Sequence, residues 1–156
     1  MYNLTHDMLD ALRATPDTLN RLLAGVTQEQ AQKARGGDEN WSVIEVLCHL
    51  RDAEEFGLQR DILMRDQDNP DILPYDQEKL AIERDYASQD LRAVLADFNA
   101  KRQRRIAVLA GLSPEGWQRS GNHTEMGRID IFSHTLHMVC HDAIHCAQIA
   151  RQLLGA

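Results

Sequence analysis

From Ile131 to Leu154 the chain contains no glycine or proline, and its apolar residues (Ile131, Phe132, Leu136, Met138, Val139, Ala143, Ile144, Ala147, Ile149, Ala150, Leu153) fall on most sides of a 3.6-residue spiral. Asp130 stands where an N-cap belongs and Gly155 where a helix stops. The segment reads as a helix, and the buried one of its fold. Three earlier segments repeat the three-and-four spacing. The first, about Leu4 to Val26, carries Leu4, Met8, Leu12, Leu19, Leu22, Leu23 and Val26 on one side. Thr15-Pro16 inside it reads as an N-cap followed by proline at the first helical position, which predicts a kinked helix or two helices.

After a turn at Gly36-Gly37-Asp38-Glu39-Asn40, the second helix opens on a capping box, Ser42 with Glu45, and Trp41 is placed to staple onto Val46. It runs to about Arg65. Asp66 to Ala87 is polar, holds Pro70 and Pro74, and predicts a loop with a short helical turn near Gln77 to Arg84. Ser88 caps the third helix, whose Leu91, Val94, Leu95, Phe98, Ile106 and Leu109 lead to Gly111. Ser113-Pro114-Glu115-Gly116 and Ser120-Gly121-Asn122 are punctuation, and no segment alternates as a strand should. Four long helices and no strand predict an all-α four-helix bundle, with residues 1–156 forming one domain.

Charge and cysteine content narrow the function. The 156 residues carry 17 basic and 24 acidic side chains, a net charge of −7, which disfavours nucleic acid as a partner. The basic run Lys101, Arg102, Arg104, Arg105 spreads around its helix and reads as a solvated face with packing stems. No stretch approaches the roughly 18 apolar residues that span a bilayer, and Asp7, Asp10, Arg13, Asp17 and Arg21 occupy the place of a signal peptide's apolar centre. Three cysteines make no disulfide framework, and the expected compartment is the cytoplasm.

Four of the seven histidines, His134, His137, His141 and His145, lie within one stripe about 80° wide on the fourth helix. His141 and His145 are about 6 Å apart along the axis, close enough to share a metal ion; His134 and His145, about 16 Å apart, are not. His137 and His141 make a second pair of the same spacing, and spacing alone does not choose between them. His49, flanked by Leu47 and Leu50, is the third donor that the second helix offers. Three neutral imidazoles with a coordination position left open are the composition of a catalytic site.

Trp41-Ser42-Val43-Ile44-Glu45-Val46-Leu47-Cys48-His49-Leu50-Arg51-Asp52-Ala53-Glu54, followed by His141-Asp142-Ala143-Ile144-His145-Cys146-Ala147-Gln148-Ile149, resembles the DinB/YfiT-like superfamily of small metal-binding bundles. Glu83-Arg84-Asp85-Tyr86 and Gly127-Arg128 extend the likeness over nearly the whole chain. The resemblance implies a four-helix bundle of that type, with a divalent metal on His49, His141 and His145. It also implies an activity: metal-dependent hydrolysis, or transfer chemistry with a low-molecular-weight thiol such as mycothiol or bacillithiol.

Around such a centre, Glu45 and Asp52 are placed about a turn before and after His49, where either carboxylate could accept a histidine N–H, although Glu45 already serves the capping box. His137 is a candidate for substrate contact or proton transfer. Arg60, on the same face as His49, is a candidate for holding a cofactor carboxylate. Cys48, Cys140 and Cys146 each adjoin a proposed ligand but point about 100° away, and read as core packing. Asp142 is expected to pair with a neighbouring helix. Histidine ligands suit Zn, Ni, Fe or Mn. The expected partners are a small-molecule substrate and a second copy of the chain in a homodimer, with neither nucleic acid nor membrane. A non-catalytic metal-binding or dimeric interaction bundle is the competing expectation.

Overall fold

A computed structural model describes residues 3–35 and 41–155; the turn expected at residues 36–40 lies outside them. Four long helices, α1 (Leu4–Leu23), α3 (Val43–Asp66), α5 (Leu91–Ala110) and α6 (Ile131–Leu154), make the bundle. Around its axis the order is α1, α5, α3, α6, each helix packing on the two beside it. Contacts between side chains set the directions. Arg51 approaches Asp97, Glu55 approaches Lys101 and Asp61 binds Arg105, so α3 and α5 run parallel. His134 binds Asp61 while His145 lies against His49, so α6 runs antiparallel to α3.

Parallel neighbours need a connection as long as the helices themselves. That is the reason for the polar stretch between α3 and α5, which contains β1 (Asp71–Ile72) and α4 (Gln77–Glu83) where the short helical turn was expected. A further short helix, α2 (Gln28–Lys33), starts from its own capping box between Thr27 and Gln30 and was not foreseen.

The expectation of no strands is corrected. β2 (Ser120–His123) and β3 (Gly127–Asp130) form a hairpin, and β1 adds to β2 in parallel. These strands are only two to four residues long, too short to show alternation, and Gly121 sits in one because a Cβ there would lie 2.6 Å from Ile72 Cδ1. Asp90 rather than Ser88 caps α5, its carboxylate accepting from Ala93 N at 2.8 Å. Asp130 and Gly155 bound α6 as expected, with Gly155 at φ 71°.

Thr15-Pro16 does not divide α1. The helix is continuous, and the carbonyl of Leu12, which a proline four residues on cannot reach with an N–H, accepts from Arg102 Nη1 at 3.0 Å. Nor is α6 the most buried helix: α3 buries more than half of its 24 residues and α6 fewer than half of its own 24, with Leu136 and Ile144 exposed. The sequence shows which residues are apolar, but the packing order decides which apolar faces are covered.

Arg102 and Arg105 belong to a buried ionic layer, not to a solvated face. Both side chains are fully buried between two apolar clusters, one around Leu47 and Phe98 and the other around Met64 and Ile131. Arg102 binds Glu54 at 2.9 Å and Asp142 at 2.7 Å; Arg105 binds Asp61 at 2.6 Å and approaches Glu54 at 3.4 Å. Thr15 donates to Asp142 at 2.9 Å, which places that carboxylate against α1 and α5. Gly57 makes room, since a Cβ there would stand 2.7 Å from Arg105 Nη1. Burying a guanidinium is costly unless carboxylates meet it, and Glu54, Asp61 and Asp142 do so here.

Candidate metal centre

The capping box at the start of α3 holds with Ser42 N donating to Glu45 Oε2 at 2.8 Å, and it sets the register in which His49 points between α3 and α6 two turns later. Antiparallel packing then brings His49 level with His141 and His145. The three rings stand 4.4 to 4.9 Å apart between centroids, and one ligand nitrogen from each lies within 4.8 Å of the others. His49 Nε2 and His141 Nε2 are 2.8 Å apart. Nitrogens that share one ion at about 2.1 Å stand at roughly 3 Å or slightly more from each other, so this donor set fits a divalent transition metal.

Electrostatics keep two of the donors, His49 and His141, neutral. Burial first, and then the charge of neighbouring histidines, pushes the His49 pKa down to about 4 and that of His141 down to about 2. Neutral imidazoles present the lone pairs that a cation needs. His145 is held by Gln148, whose Oε1 accepts from its Nδ1 at 2.7 Å and so directs the other nitrogen inward. The Nδ1 atoms of His49 and His141 are buried and have no partner among the described residues.

Other predicted residues divide into those at the centre and those beside it. His137 is exposed, its ring 6.1 Å from that of His141. Glu45 stays in its cap and also meets Arg35 at 3.2 Å. Asp52 orients no histidine. Its carboxylate is taken by Arg51, Arg84 and Tyr86, at 2.7, 2.7 and 2.5 Å, and ties the crossover to α3.

Arg60 lies toward the far end of α3, donating to Leu73 O at 3.0 Å. Cys48 is buried with Sγ 3.8 Å from Tyr86 O, and burial pushes its pKa up to about 12; Cys146 rises to about 11 for the same reason. Cys140 is exposed and packs in no core. His134 lies below the centre, bound to Asp61 at 2.8 Å.

Two neighbours of the site were not foreseen. Gln148 follows His145 by three residues, a spacing that puts two side chains on one helix face and could have revealed it. Trp41 turns its ring to His49, 5.2 Å away, instead of stapling the helix entry alone.

Residues 11–149 match the model of the DinB superfamily. The chain belongs to this superfamily. A protein of Oceanobacillus iheyensis named "Putative metal-dependent hydrolase OB0782" is 27% identical over 147 residues, covering 94% of this chain and 84% of its own length. The structure of YfiT from Bacillus subtilis, described as a probable metal-dependent hydrolase with an unusual four-helix bundle topology, superposes with a TM-score of 0.88. It covers 95% of this chain and 85% of that one at 23% identity, and the shared feature is the fold. Among the described residues no helix is long and apolar enough to cross a membrane.

Proposed function

We propose that His49, His141 and His145 hold a divalent transition metal ion and that the chain is a metal-dependent hydrolase of a small molecule. The observation that carries this reading is the convergence of three histidine rings, two buried and one half-buried, from two antiparallel helices, with His49 and His141 held neutral. The names of the Oceanobacillus and Bacillus proteins support it. A divalent ion at such a centre polarises a carbonyl or phosphoryl oxygen and makes water a stronger acid. The protein's own residues do the rest. Gln148 holds the His145 ring in one orientation, Trp41 shields His49 from solvent, and exposed His137 is placed to exchange a proton between the centre and water. The homodimer remains a proposal of ours, supported by Leu136 and Ile144 standing exposed on α6.

Elemental analysis of the purified protein and of His49→Ala, followed by turnover of ester and amide panels with Zn, Ni, Fe or Mn loaded, tests the reading. Near-stoichiometric metal in the parent, its loss in the variant and metal-dependent turnover are expected. Conjugation of a small thiol to an electrophile in place of hydrolysis would move the chain to the thiol-transferase class. Bound metal that stabilises the fold without any turnover would leave a non-catalytic bundle.

A further inference from the structure

On α3, Phe56, Arg60 and Leu63 continue the stripe that starts at His49, displaced from it by no more than about 40° around the axis. Between this stripe and the start of the crossover lies a cavity of about 410 Å³, walled by Phe56, Arg60, Leu63, Ile72, Pro74 and Tyr75. Phe56 and Tyr75 stack with centroids 4.2 Å apart, and the Arg60 guanidinium lies 5.6 Å from the centre of the Tyr75 ring. One of its nitrogens donates to Leu73 O.

What distinguishes Arg60 is partial burial without an anion. Arg51, Arg84, Arg102, Arg105 and Arg119 each bind a carboxylate within 4 Å, but Arg60, partly buried, binds none among the described residues. Its sequence neighbour Asp61 is already held by Arg105 and His134. Asp71 also borders the cavity, but it is exposed and sits beside Asn122 Nδ2 at 3.4 Å, not beside Arg60. Desolvation lowers the pKa of Arg60, outweighing the opposing pull of Tyr75 and Asp61.

We propose that this cavity is a subsite for the carboxylate of a small organic anion, with Arg60 binding the carboxylate and the aromatic and aliphatic walls receiving the body of the molecule. Phe56 is about 10 Å along α3 from His49, and Arg60 leans back toward it. On α6 the exposed His137 lies between His141, at the centre, and His134, which is level with Asp61. Eleven residues separate His49 from Arg60, about 16 Å along α3, so a molecule anchored at Arg60 reaches the metal centre only if its body spans that length. The proposal names a substrate class for the hydrolase reading and rests on it for that role, while binding of the anion itself needs only the cavity.

The test is a titration of ¹⁵N-labelled protein, zinc-loaded and chelator-treated, with benzoate and with benzamide, its uncharged analogue of the same shape. Benzoate is expected to shift amides within residues 56–75, with similar affinity in both preparations, and to bind about tenfold or more tighter than benzamide. Arg60→Gln should lose that preference and Arg60→Lys retain part of it. Equal binding of the two probes, no binding, or shifts centred on His49, His141 and His145 would overturn the subsite, and the wild-type comparison decides even if Arg60→Gln loosens the crossover. Hydrolysis of carboxylate-bearing against neutral esters by the metal-loaded protein is read separately: benzoate binding without metal-dependent turnover sinks the hydrolase reading and leaves the subsite standing.

Discussion

Between α3 and α6 lie two buried polar clusters, little more than a turn apart, and they resolve the cost of burial in opposite ways. In the ionic layer every guanidinium meets a carboxylate, and His134 donates to Asp61. In the histidine cluster no carboxylate is present among the described residues, and burial keeps His49 and His141 neutral. Single atoms without a partner among the described residues occur in both clusters, Nδ1 of His49 and His141 here and Glu54 Oε1, Arg102 Nε and Asp142 Oδ1 in the ionic layer, so the contrast lies in charge. Buried polar groups without partners cost stability. A cluster that closes its own charges holds a bundle together; one that leaves lone pairs converging is prepared for something that the chain does not supply.

The comparison can be broken most forcefully in the ionic layer. Arg105→Met strips Asp61 and Glu54 of a partner and should cost about 3–5 kcal/mol in chemical denaturation; Gly57→Ala, which pushes on the same guanidinium, should lower the midpoint in the same direction. A loss under about 1 kcal/mol for Arg105→Met would mean that the layer is not what holds the helices in register. In the histidine cluster the order reverses. His49→Ala should abolish metal binding yet cost the metal-free protein little, because it removes a poorly satisfied ring. Saturating zinc at 100 times its Kd should stabilise the parent by about 2.7 kcal/mol and His49→Ala not at all, seen as a shift in Tm.

Acid should separate the two clusters further. His49 and His141 have folded pKa values below the unfolded value near 6.5, so between those limits the unfolded chain binds more protons. The stability of the metal-free protein is therefore present above about pH 6.5 and is lost as pH falls, by up to about 1.4 kcal/mol per pH unit for each histidine. Denaturation of His49→Ala against pH should show a shallower slope; an unchanged slope would place the titration elsewhere. The smallest effect is expected from Gln148→Leu, which leaves the fold intact but weakens zinc binding about 10- to 100-fold by freeing the His145 ring. Zinc affinity equal to that of the parent would remove Gln148 from the centre.

How far these features were legible follows from the range of the interactions that make them. Capping at Ser42 and Asp130, the stop at Gly155 and the histidine stripe are local patterns, each set within a turn or two of helix. The strands Ser120–His123 and Gly127–Asp130 were missed because pairing of such short segments is decided by their neighbours. Arg102 and Arg105 were misread as solvated for a related reason. Their carboxylate partners lie 40 to 51 positions away in the chain, and the proline that frees the Leu12 carbonyl for Arg102 belongs to another helix. Asp52 was placed near His49 correctly by the helix geometry, but its partners Arg84 and Tyr86 come from the crossover.

By itself the sequence determined that the chain forms four long helices and that histidines share one face of the last, since periodicity and capping act within a helix. Tertiary structure decided which helices are neighbours, and with that everything that depends on contact. The order α1, α5, α3, α6 makes α3 and α6 antiparallel partners, brings His49 to His141 and His145, and leaves Arg60 beside a cavity and, among the described residues, bound to no carboxylate. A side chain's neighbours across an interface are set by the register of two packed helices, and that register depends on every residue between them at once.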